Sequence, residues 1–247
     1  MKIRKSNEYP ILYWMITFLI ICVSQDTLLF GTNGNSIYTT IAKVIPFVVI
    51  GLIVVSRNVF LWNKKKFTMV SVICMLPVIS CVANGENINN YVYRFAIMLA
   101  GAFVVMFMEM RMFYELFRRI IDFLSIWSIG TFMLSYLVPG LVKMMPIIRN
   151  SRGFGYYNMI FSVVSFDGSL RNHSIFREPG MFMVMLVIAT FIEILIAEKI
   201  NMKRIFLYSI AILTTISTAG YIILALVYIY IILMDDRVKS RYQMLLI

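Results

Sequence analysis

The chain has 247 residues, 61% of them hydrophobic and only 14% charged, with a mean hydropathy of +0.85, which leaves too little polar surface for a soluble globule of this size. Its net charge of +11 does not point to nucleic acid, because such binding needs basic residues gathered on one face or stripe, and here they fall at the ends of apolar runs. The expected class is a polytopic membrane protein, all-α, forming a single transmembrane domain over 1–247.

A membrane-spanning helix needs about twenty mostly apolar residues. In chain order, candidate spans lie near 10–29, 37–56, 67–83, 91–109, 120–139 and 181–197, followed by an apolar block over 205–234. The opening Met1-Lys-Ile-Arg-Lys5 and the apolar run behind it resemble a signal peptide. No small-residue cleavage site follows, however, so the run is expected to stay as the first span. Cys22, Cys74 and Cys81 fall inside apolar runs without a histidine or carboxylate at ligand spacing, which marks them as packing or lipid-facing residues rather than metal ligands.

Basic residues cluster in alternate connections: Lys2, Arg4 and Lys5; Arg57 and Lys64 to Lys66; Arg111, Arg118 and Arg119; Lys199, Lys203 and Arg204; and Arg237, Lys239 and Arg241. The short connections between them, 24–36 and 84–90, carry none. The positive-inside rule therefore predicts a cytoplasmic N-terminus and an extracytoplasmic loop over 140–180. The block 205–234 is long for one span and short for two. A hairpin turning at Ser217-Thr-Ala-Gly220 keeps Arg237, Lys239 and Arg241 on the cytoplasmic side, which predicts about eight crossings, the last two short. Lys43 and Arg94 lie within spans, where charge is costly and often functional. Arg94 is near enough to a span end to snorkel outward, whereas Lys43 is deeper and is a candidate for a cavity facing an anionic ligand. Glu193, near the cytoplasmic end of its span, is expected to reach the interface.

The loop is where chemistry is expected. It holds Lys143, Arg149, Arg152, Arg171 and Arg177, the chain's only histidine, His173, and Glu178 directly before the next span. Pro179 suits the first helical position, which places Glu178 at or beside the N-cap. The helix N-terminus then offers unpaired N–H groups and a positive dipole end to an anion such as a phosphate or pyrophosphate. Arg171 and Arg177 add planar, always-charged forks of the kind that bind phosphate. The same three side chains, Arg171, Arg177 and Glu178, could equally pair with one another and pin the loop. His173 is either a reactive imidazole or an ordinary solvated loop histidine. Arg152-Gly-Phe-Gly-Tyr-Tyr157 reads as a sugar-stacking surface or, more simply, as aromatics at a membrane interface. Asn172-His-Ser174 matches a glycosylation pattern by chance. No phosphate loop, metal-ligand cluster, nucleophile elbow or internal repeat is evident.

Arg171-x-x-Ser174-x-Phe176-x-Glu178-Pro179-Gly180, opening a span after a long outer loop, resembles the Arg-x-x-Gly-x-Phe-x-Glu-Pro-Gly signature of O-antigen and capsule repeat-unit polymerases of the Wzy type, in the superfamily that includes the O-antigen ligases. Leu213-Thr-Thr-Ile-Ser-Thr-Ala-Gly220 is similar to a Thr/Ser-rich segment in a later hairpin of those proteins. Ser174 stands where the signature has glycine, and the later segment lacks the arginine often found there. Family members are longer, with ten or more spans and a second large outer loop, so the expectation is a fragment or a truncated member. The resemblance implies a glycosyltransferase of the bacterial cytoplasmic membrane. It would work on the outer face, moving an oligosaccharide from a polyprenyl-diphosphate carrier to another lipid-linked unit. No cofactor and no metal would be needed, because arginines can neutralise the diphosphate leaving group. In that scheme Glu178, then His173, is the candidate general base, and Arg171, Arg177, Arg152, Arg149 and Lys43 are the substrate-binding residues. The implied partners are the lipid-linked oligosaccharide, membrane lipids, and flippase and chain-length regulator proteins, with no nucleic acid. The alternatives are a transporter or flippase of lipid-linked sugars, disfavoured by the absence of related halves, and a noncatalytic component of an export complex.

Overall fold

The computed structural model describes residues 11–24, 27–28, 48–49, 51–52, 64–85, 89–149, 153–166, 170–197 and 200–234. They are mostly helical: α1 (Ile11–Ser24), α2 (Lys64–Asn84), α3 (Asn89–Phe107), α4 (Met110–Leu137), the short α5 (Pro139–Val142), α6 (Pro179–Leu195), α7 (Met202–Thr214) and α8 (Thr218–Met234). Three strands, β1 (Ile147–Arg149), β2 (Gly155–Asn158) and β3 (Val163–Ser165), form one small sheet in that order. The expected helical chain is thus found in its main part, with one small sheet added within the 140–180 loop. The described residues group into two compact units, one within Met1–Ile120 and Arg149–Gly153, the other within Ile121–Ile148 and Phe154–Ile247.

In the first unit, Ile16 and Ile20 of α1 pack with Ala100 and Val104 of α3 and with Met108 and Leu116. Helix α2 packs on α3, yet Phe67, Met69, Val72, Met75, Leu76, Ile79 and Val82 remain exposed on it. Apolar surface on so many sides is what a helix surrounded by other helices or by lipid requires. The basic connection expected at 111–119 is itself helical and forms the first turns of α4. There Glu115 pairs with Arg118 and, at 2.9 Å, with Arg119, while Leu116 and Phe117 turn inward.

The second unit holds the candidate site. Helix α6 packs on α7 and α8, and α7 on α8. Phe182, Leu186, Tyr208 and Ile212 are fully enclosed. Gly220 lets α8 come close: a Cβ there would lie 2.8 Å from Met183 Cγ and 2.9 Å from Ile212 Cγ2. The expected hairpin in the last apolar block is present. Its turn runs over Thr215 to Ser217, with Thr218–Gly220 already the first turn of α8.

Strands β2 and β3 pair antiparallel, Tyr156 opposite Ser165 and Asn158 opposite Val163. Asn158 Oδ1 accepts the Ile160 N–H at 2.9 Å, an Asx turn that carries Ile160 to φ +72. The hairpin then lies back along one face of α4. Trp127 Nε1 donates to the Met159 carbonyl at 3.0 Å, Phe161 stands edge-on to Phe123 and Trp127, and Thr131 and Ser162 hydroxyls are 2.6 Å apart. Positions 123, 127 and 131 share a helix face by their i, i+4 spacing.

By length and composition, Phe67–Asn84 and Met110–Leu137 are long and apolar enough to cross a membrane, while Ile11–Cys22, Pro179–Leu195 and Thr218–Leu233 are shorter apolar helices. The span expected at 91–109 corresponds to α3 and that at 181–197 to α6. Most of the span expected at 37–56 lies outside the described residues, as does Lys43. The three cysteines are buried and form no disulfide, in keeping with packing roles.

Candidate functional site

Helix α6 starts as its sequence dictates. Pro179 occupies the first turn, and Glu178 is the N-cap, with extended backbone at φ −126, ψ 139 and no capping bond from its side chain. Proline's fixed φ and missing N–H fit that position. The Glu178 carboxylate instead takes Arg177 Nη2 at 3.0 Å, with the Glu178 side chain 57% exposed. A Cβ built on Gly180 meets nothing within 4 Å, while Pro179 beside it is buried.

The preceding segment is tied down by polar contacts. Arg171 Nε donates to the Thr215 carbonyl at 3.1 Å and Nη2 to the Ile216 carbonyl at 2.9 Å. These carbonyls lie just past the C-terminus of α7, where a cation is favoured by the unpaired C=O groups. The pinning role left open for Arg171 is thus met by backbone, while Arg177 and Glu178 do pair. Asn172, 3% exposed, bonds Ser128 Oγ on α4 and Thr214 Oγ1 on α7 through Nδ2. Its Oδ1 accepts the Ser174 N–H at 3.0 Å, and its own N–H donates to the Thr214 carbonyl at 2.9 Å.

His173 is 6% exposed, which corrects the reading of it as a solvated loop histidine. Its Nδ1 lies 3.1 Å from the Arg177 carbonyl and its ring stands edge-on to Tyr156, whose hydroxyl donates to the same carbonyl. A carbonyl only accepts, so Nδ1 carries the hydrogen, and in the neutral ring Nε2 is the basic nitrogen. Of the aromatic run, Tyr156 is buried against His173 and Tyr157 is half-buried, packing on Phe166 at 4.3 Å between ring centres.

Ser174 has φ +49 in a turn closed by Phe176 N–H to the His173 carbonyl at 3.0 Å. Left-handed backbone costs an L-residue about 1–2 kcal/mol. The Ser174 hydroxyl is also buried with no hydrogen-bond partner among the described residues, a further penalty of about 1–3 kcal/mol. Glycine removes both and adds back about 0.5–1 kcal/mol of chain entropy. Ser174→Gly is therefore expected to raise the thermal unfolding midpoint by a few degrees in differential scanning fluorimetry; a lower midpoint contradicts this reading of the turn.

Of the remaining sequence candidates, Arg149 ends β1, is exposed, and groups with the first unit. Arg152 lies outside the described residues. A second polar cluster was missed. Arg204 Nε bonds Asp122 Oδ2 at 2.9 Å, and its Nη1 bonds Glu193 Oε2 at 2.9 Å. Tyr208 donates to Asp122 Oδ1 at 2.7 Å, and Glu193 Oε1 accepts the Asn201 N–H at 2.8 Å. Glu193 is 1% exposed, so the expectation that it reaches an interface is corrected: it is enclosed and paired. Among the described residues no group of His, Cys, Asp and Glu is arranged to hold a metal ion.

Comparison with known proteins returns no matching family model, no similar curated protein and no similar solved structure.

Proposed function

We propose that the chain is a membrane-embedded glycosyltransferase that joins lipid-linked oligosaccharide units at the outer face of the cytoplasmic membrane of a bacterium. The observation that carries the reading is the meeting of the two segments on which the sequence resemblance rests. Arg171 and Asn172 bond the backbone or side chains of Thr214, Thr215 and Ile216, although more than forty residues separate them. The left-handed backbone at Ser174 adds support, because the signature's glycine is the residue best suited to it.

In this scheme the anionic diphosphate lies at the N-terminus of α6, facing the Gly180 N–H, Arg177 and the part of the Arg171 fork not engaged with carbonyls. Glu178 takes the proton of the acceptor hydroxyl as that oxygen bonds the anomeric carbon. The bond from that carbon to the diphosphate oxygen breaks, and polyprenyl diphosphate leaves with the electron pair. Glu178 is preferred over His173 as base because its side chain is 57% exposed while His173 is enclosed at 6%. The defining test is elongation of lipid-linked repeat units by purified protein, with release of polyprenyl diphosphate and without added nucleotide or metal.

The scheme also requires 140–180 to lie outside. Met144, 84% exposed after α5, is the site to probe. With Cys22, Cys74 and Cys81 replaced by serine, Met144→Cys is expected to react with a membrane-impermeant maleimide in intact cells. Reaction only after permeabilisation would reverse the orientation and remove the outer-face chemistry.

A further inference from the structure

We infer that Asn172 is a positioning residue, which sets Arg171 and the turn leading to Glu178 against α4 and α7 by a hydrogen-bond pattern that only an amide satisfies. The argument follows the protons. Ser128 Oγ donates to the Ser125 carbonyl at 3.2 Å, and Thr214 Oγ1 donates to the Ala211 carbonyl at 2.7 Å. Each hydroxyl has one hydrogen, so both can only accept from Asn172, whose Nδ2 lies 3.1 Å from Ser128 Oγ and 2.9 Å from Thr214 Oγ1. The two amide hydrogens are thereby used, and the remaining Oδ1 is used by the Ser174 N–H at 3.0 Å. The amide orientation is fixed from both sides.

The consequence reaches the residues on either side. Asn172 joins three pieces of chain distant in sequence: the middle of α4, the last turn of α7, and the left-handed turn at Ser174. Arg171, one residue before it, is held on the carbonyls that follow α7. Ser174, two residues after it, starts the turn that ends at Phe176 and leads into Arg177 and Glu178. Aspartate has nearly the same shape, but its carboxylate brings acceptors against two oxygens that need a donor. Leucine has similar bulk and leaves the Ser174 N–H without its acceptor. A residue that only filled space would tolerate both changes.

The catalytic half of this inference rests on the proposed glycosyltransferase, and the structural half does not. The test therefore compares full-length wild type, Asn172→Asp, Asn172→Leu and Thr214→Val by amide hydrogen exchange and by elongation of lipid-linked repeat units. In Asn172→Asp and Asn172→Leu the amides of 172–177 are expected to exchange about tenfold faster or more, with those in the middle of α6 and α8 unchanged. Turnover is expected to fall by about tenfold or more and KM to rise with it, because Asn172 sets both the diphosphate-facing Arg171 and the turn that leads to Glu178. Thr214→Val removes one acceptor and is expected to shift the same amides in the same direction by less, which keeps the test decisive if an Asn172 variant fails to fold. Unchanged exchange at 172–177 in the folded variants overturns the inference. A wild-type protein that does not elongate refutes the glycosyltransferase reading, and the exchange result then decides Asn172 by itself.

Discussion

Glu178→Gln is expected to bind lipid-linked repeat units as wild type does and to elongate them at least about a hundredfold more slowly, since general-base catalysis contributes about 10²–10⁴-fold. The substitution is informative because the side chain does little for the fold. It makes no capping bond to α6, and its pair with Arg177 leaves it 57% exposed, a setting in which an ion pair is worth under about 1 kcal/mol. Glutamine keeps the length and an oxygen for Arg177, and loses the negative charge and proton affinity that a base requires. The measurements are substrate binding, glycan ladder length, release of polyprenyl diphosphate, and a thermal midpoint within a degree or two of wild type. Full activity in Glu178→Gln would move the base to another group, with His173 Nε2 next in line. A wild-type protein that carries lipid-linked sugar across vesicles without lengthening it would establish a carrier instead.

What could be read from the sequence divides along a physical line. Local and segment-level signals came through: Pro179 and Glu178 mark the start of α6, and the length of the last apolar block with the basic residues behind it marks the break between α7 and α8. The strands did not come through, because three- and four-residue segments in a polar loop carry too little alternation to register. The partners of His173, Glu193 and Asn172 depend on chain folding. Nothing near Glu193 announces that Arg204 and, through it, Asp122 of α4 will enclose it. The sequence pattern at Asn172 matches a glycosylation site by chance, whereas its local meaning in the fold is an Asx turn, with Oδ1 accepting the Ser174 N–H. The second motif lacks the arginine often found there; in the fold it offers carbonyls and a hydroxyl to Arg171 and Asn172.

Arg204→Met is expected to be the most destabilising of these substitutions. Arg204 is the cation between two carboxylates, its side chain 19% exposed, with Asp122 at 22% and Glu193 at 1%. Removing it takes the guanidinium from between the Glu193 and Asp122 carboxylates, which also accept from the Asn201 N–H and the Tyr208 hydroxyl, and so leaves two negative charges in an enclosed place without the cation between them. Breaking such a pair by deleting one partner costs about 3–5 kcal/mol, which for a chain of this length corresponds to a fall of about 10 °C in the unfolding midpoint. The cost comes from the stranded charges rather than from the loss of a favourable bond, and that distinction is testable. Adding Glu193→Gln and Asp122→Asn to Arg204→Met removes both charges at nearly constant volume and is expected to restore most of the lost stability, because uncharged replacement of a whole buried network is often close to neutral. A triple variant no more stable than Arg204→Met would mean that the network's attraction, not its stranded charge, holds α4, α6 and α7 together. In either case the damage starts at the N-terminal end of α7. Its C-terminal end is where Arg171 and Asn172 bind, so loss of elongation in Arg204→Met that returns with the triple variant would tie the charge network to the geometry of the site.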